Sequence, residues 1–76
     1  MNVANLKIGE KGIIKKVNGA GALRHRLLEM GIIPGTSVTL SKIAPLGDPL
    51  QIQIRGYELS IRKDDAILIE IEEALK

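Results

Sequence analysis

Cysteine is absent from this 76-residue chain, as are tryptophan and phenylalanine, and one tyrosine supplies all of its aromatic content. Without thiols there is no disulfide, iron–sulfur cluster, thiolate zinc site or cysteine nucleophile. With so few aromatic rings, the stacking platforms typical of single-stranded nucleic-acid binders are missing. No apolar run approaches the roughly 20 residues that span a bilayer. The opening MNVANLKIGEKG has no signal-peptide apolar stretch. These absences predict a small cytoplasmic protein that does not cross the membrane and make nucleic acid a lesser option as partner.

What is present is aliphatic. Hydrophobic residues make up 45% of the chain, enough for a core in a domain near the lower size limit. One domain is expected over residues 1–76. Charge is uneven: residues 1–42 carry seven Lys/Arg against two acids, and residues 43–76 carry four against seven, for a net +2. Two solvated surfaces of opposite sign are the simplest reading; a basic half facing an acidic partner is the other.

KGIIKKV (residues 11–17) is β-branched and ends at the Asn18-Gly19 turn signal, which predicts a strand. From about Ala20 to Met30 the apolar period changes. Leu23, Leu27 and Met30 share one helical face, Arg24, His25, Arg26 and Glu29 lie on the other side, and Gly31 suits a C-cap. Pro34-Gly35 predicts a type II turn, followed by a strand from Thr36 to about Ile43. Pro45 and Pro49 bracket a loop that cannot lie inside a sheet. Leu50, Ile52 and Ile54 form an inward row, Gly56 marks a tight hairpin, and Tyr57, Leu59 and Ile61 continue inward. KDDA reads as a one-turn connector, and Ile67, Ile69 and Ile71 as the last inward row. The final three strands are expected to follow one another as a meander. The fold predicted is mainly β: a small, SH3-like, partly open barrel of about five strands, with one short α-helix inserted after the first.

Chemistry is sparse. His25 and Glu29 share a helix face at a spacing that holds a divalent cation, but two ligands are too few for a dedicated site. They are weak metal candidates beside the simpler reading of an exposed ion pair. Asp64, Asp65 and Glu58 are a still weaker oxygen set. One histidine and scattered hydroxyls give no nucleophile–base pair. The phosphate-cradling loop is absent, and Gly19-Ala20-Gly21 lacks the third glycine of a dinucleotide fingerprint. Neither enzyme activity nor a cofactor is expected.

The ordered set Arg26-Leu27…Met30-Gly31, Pro34-Gly35, Ala44-Pro45-Leu46-Gly47-Asp48-Pro49, Arg55-Gly56-Tyr57-Glu58-Leu59, Ile61-Arg62-Lys63 and Ala66 resembles the ferrous-iron transport protein A family, FeoA. The match covers residues 23–72 well and 6–17 more loosely. The resemblance implies an SH3-like barrel acting beside FeoB, a membrane ferrous-iron permease with a cytoplasmic GTPase domain, so that any GTP chemistry lies in the partner. It implies contact with the membrane only through that partner. The candidate partner-binding residues are Arg24, Arg26, Leu27 and Leu28 on the helix, with Leu27 or Leu28 exposed inside a basic rim, and Pro45, Leu46, Gly47, Asp48 and Pro49 in the loop. Two alternatives stay open. One is direct iron binding that depends on His25. The other is a small nucleic-acid-binding barrel using Lys11, Lys15, Lys16, Arg24 and Arg26.

Overall fold

The computed structural model describes residues 1–73; residues 74–76, the end of the domain expected over 1–76, lie outside them. A single 3-10 turn, Val3–Asn5, precedes β1 (Lys11–Val17), α1 (Gly21–Glu29), β2 (Ser37–Ile43) and β3 (Leu50–Ile54). Then follow β4 (Tyr57–Ile61), the one-turn α2 (Lys63–Ala66) and β5 (Ile69–Glu73). The strands form one antiparallel sheet in the order β4-β3-β2-β1-β5. The mainly β class, the helix after the first strand and the connector at KDDA are as predicted.

Two bulges curl the sheet. Between β1 and β5, Ile14 pairs with Ile71 and Lys16 with Glu70, so Lys15 is the extra residue. Between β2 and β3, Leu40 pairs with Ile52 and Lys42 with Gln51, so Ser41 is the extra one. Bulges of this kind bend the strand and increase its twist. The first explains why Lys15 and Lys16 are both exposed before buried Val17, a break in strict alternation. Inside the curl, Ile14, Leu27, Ile32, Leu40, Ile52, Ile54 and Ile69 are fully buried. No polar or charged residue among those described is buried.

Gly12 allows β1 and β5 to approach. A Cβ at that position would stand 2.7 Å from Ile71 Cδ1 and 3.3 Å from the Glu72 carbonyl oxygen.

Four details differ from expectation. The meander is β2–β3–β4, not the last three strands. α2 redirects the chain so that β5 crosses to the far edge and lays Ile69 and Ile71 opposite Val17 and Ile14. Ile67 is exposed because it ends the α2 turn and precedes the strand. Tyr57 is 45% exposed; it starts an edge strand, where one flank has no neighbour to cover it. The N-terminal segment, unassigned from sequence, packs Val3 and Leu6 into the core and bonds to β5 through Ile71 N–H to the Met1 carbonyl at 2.9 Å.

Candidate partner-binding surface

The helix ends in a complete Schellman cap. Ile32 N–H donates to the Leu27 carbonyl at 3.2 Å and Gly31 N–H to that of Leu28 at 3.0 Å, with Gly31 at φ +94°. Such a cap sets the residue after the glycine against the one five positions before it. Leu27 and Ile32 meet in the core, and Leu27 is 1% exposed. Of the two leucines, Leu27 or Leu28, expected to stand exposed and touch a partner, Leu27 is therefore corrected to a core residue: helical spacing placed it on the inward face, and the cap fixes it there. Leu28 is partly buried and packs against the same core, as do Leu23 and Met30. No bare leucine stands in the basic rim.

What the helix offers outward is polar. Arg24 Nε donates to the Val17 carbonyl at 3.1 Å, which pins the first turns of α1 to β1. Arg26 Nη2 lies 3.8 Å from Asp65 Oδ2 on α2. His25 Nε2 stands 3.5 Å from Glu29 Oε1, with both side chains mostly in solvent. That is the exposed ion-pair arrangement, and among the described residues no third His, Asp or Glu joins these two.

The exposed apolar side chain that the sequence placed on the helix is found in the loop instead. Ala44, Pro45, Leu46 and Gly47 form a tight turn closed by Gly47 N–H to the Ala44 carbonyl at 2.7 Å. Ala44 N–H in turn donates to the Pro49 carbonyl at 3.0 Å. Leu46 at the tip is 96% exposed, and Ile43 at the base is 39% exposed. Proline on either side restricts the backbone, so Leu46 projects from a preorganised turn. Asp48 Oδ1 accepts from Lys63 N–H at 3.0 Å, which satisfies an otherwise free donor at the start of α2. Beside it, Asp48, Pro49 and Arg62 line a shallow depression open to solvent.

α2 thus links the two expected parts of the surface. Asp48 of the loop holds its first residue, and its Asp65 reaches Arg26 on α1. Sequence reasoning missed this linking role of Lys63 and Asp65. The only available signal was that KDDA forms a turn with acids in its first positions. An aromatic-lined groove for polyproline segments has no material here, since the sole aromatic, Tyr57, lies elsewhere and donates its hydroxyl to the Met30 carbonyl at 2.9 Å.

The basic residues of β1 do not form an unbroken positive face. Lys16 lies opposite Glu70, while Glu72 and Glu73 pair with Ile13 and Gly12. The Glu70 carboxyl is held below its ordinary value, first by the Asn18 side-chain amide donating to Oε2 at 2.7 Å. Partial desolvation opposes that shift, and Lys16, Lys15 and the terminal amine add to it.

A family model for the FeoA domain matches residues 1–73. The Fe(2+) transport protein A/Fe(2+) transporter FeoB fusion protein of Porphyromonas gingivalis is 40% identical over 72 residues, which is 95% of this chain and 8% of the fusion protein. The iron(II) transport protein A of Clostridium thermocellum superposes with a TM-score of 0.93 at 35% identity, over 97% of this chain and 46% of that one. The FeoA of Stenotrophomonas maltophilia, solved with zinc and described as a prokaryotic SH3 domain protein, gives a TM-score of 0.77 at 21% identity, over 95% of this chain and 89% of that one. That last likeness speaks for the SH3-like fold alone. The chain spans less than half the length of the first two relatives. No helix among the described residues is long and apolar enough to cross a membrane.

Proposed function

The chain belongs to the FeoA family of ferrous-iron transport, and from that premise we propose that it is a non-enzymatic accessory that binds a FeoB-type permease from the cytoplasmic side. The observation that carries this reading is the Porphyromonas gingivalis relative, in which the matching segment and a FeoB transporter share one chain. Two functions joined in one polypeptide meet at high effective concentration, and a separate chain needs a surface to achieve the same contact.

That surface is the Pro45–Pro49 loop with the outer face of α1, linked through α2. Leu46 is the apolar anchor, and Arg24, Arg26 and Arg62 form the polar rim. Leu27 and Leu28 serve by holding the helix rather than by touching the partner. Uptake chemistry and nucleotide hydrolysis belong to the permease.

The test is calorimetric titration of this protein into the cytoplasmic GTPase domain of its cognate permease, with and without nucleotide. Saturable binding that Leu46→Asp weakens at least tenfold is expected. Absence of binding to the domain and to the full permease in detergent overturns the reading. A ferrous-iron titration of this protein alone, with His25→Ala as control, checks direct iron binding separately.

A further inference from the structure

The two edges of the sheet are treated differently. The outer edge of β5 is met by the N-terminal segment, through the Asn2–Glu70 bridge and the bond from Ile71 N–H to Met1. The outer edge of β4 has no such cover among the described residues, and β4 has little of the usual edge protection beyond its shortness and the charge of Glu58. It has no proline, no lysine within Tyr57–Ile61, and no bulge in its register with β3.

The hairpin fixes which backbone groups of β4 face outward. Ile54 pairs with Tyr57 across the two-residue turn Arg55-Gly56, both at positive φ, as a type I′ turn requires. The closing residues of such a hairpin exchange hydrogen bonds, and the pattern alternates along the strand. Tyr57, Leu59 and Ile61 therefore bond to β3, while Glu58 and Ser60 point their N–H and C=O groups away from it. Arg62 is still extended, at φ −73° and ψ 148°, so its N–H continues the outward row. Its carbonyl already accepts from Asp65 and Ala66.

We infer that β4 pairs antiparallel with β4 of a second copy of this chain, about a two-fold axis through Ser60. Two symmetric registers give four hydrogen bonds each from these outward groups. One is centred on Leu59 and sets Glu58 against Ser60 of the second copy. The other is centred on Ser60 and sets Glu58 against Arg62 of the second copy, twice by symmetry. Opposite charges directly across a ladder attract, and like charges there repel. The Ser60 register is therefore the one in which the edge is complementary to itself in charge. A contact this short buries less than a standard interface, so the dimer forms only at high protein concentration.

Sedimentation equilibrium up to about 1 mM protein reads the association. Wild type is expected to show reversible monomer–dimer exchange. Glu58→Arg and Arg62→Glu each weaken dimerisation at least about fivefold, because each turns two attractive pairs into repulsive ones. The double variant restores it. Circular dichroism confirms that the variants remain folded. On the unaltered protein, the amide signals of Glu58, Ser60 and Arg62 shift with concentration in nitrogen-15 NMR spectra. A protein that stays monomeric throughout, a double variant no better than the singles, or concentration-dependent shifts confined to another face each overturns the inference.

Discussion

At the scale of single residues, two positions show how close approach and hydrogen bonding set tolerance. Gly12 lies in a strand, where sequence gives no turn to explain it; the reason is the space taken by Ile71 and the Glu72 carbonyl. Replacing Gly12 with Ala overpacks this contact and is expected to cost about 1–3 kcal/mol, read as a lower urea midpoint with an unchanged slope. Glu70 carries the one clear electrostatic prediction. Its carboxyl is held below its ordinary value of 4.5, chiefly by Asn18. A depressed carboxylate stabilises the fold fully above that ordinary value and progressively less as pH falls through the folded-state value. Urea unfolding of wild type and Glu70→Gln should therefore diverge at neutral pH and converge in the acid range. A constant difference across that range would show that Glu70 acts by packing alone.

At the scale of elements, sequence pattern and structure agree where local chemistry decides and part where distant contacts do. β1 is bounded as read, since β-branched residues ending at Asn18-Gly19 need no tertiary information. α1 and its glycine stop were equally legible from period and cap. The crossing of β5 to β1 was not. Ile67, Ile69 and Ile71 alternate correctly for a strand, but Ile67 ends the one-turn α2, and pairing of β5 with β1 across more than 50 residues leaves no local mark. Leu27 and Leu28 were ambiguous because adjacent helical positions differ by about 100° in direction; the Schellman cap resolves them by joining Leu27 to Ile32. Leu27→Ala is accordingly expected to lose about 2–5 kcal/mol in stability. Chemical denaturation measures this directly, and a loss near zero would mean that the helix is dispensable to the core. The loop residues of the candidate surface were legible as a loop. The exposure of Leu46 was not, because prolines alone do not say which side of a turn meets solvent.

At the scale of the whole molecule, the sheet is a scaffold whose insertions gather along α2. The loop meets its first residue through Asp48, and α1 meets it through Arg26 and Asp65. The 3.8 Å pair between Arg26 and Asp65 joins a mostly exposed arginine to a well-covered aspartate side chain, and pairs near the surface contribute little to folding. On the proposed reading, stability and recognition rest on different residues of the same region, which makes the two separable. Leu46→Asp removes an exposed apolar tip and should change stability by no more than about 0.5 kcal/mol. Arg26→Glu should be similarly mild, with Asp65 now facing a like charge. If the loop and helix bind the permease together, each variant weakens binding while the thermal midpoint stays near wild type. Leu27→Ala shows the reverse order, with folding lost first and binding lost in proportion to the unfolded fraction. Measuring midpoints and permease affinity on the same three preparations distinguishes these cases. Leu46→Asp and Arg26→Glu proteins that fold and still bind with wild-type affinity would move the contact off this face altogether.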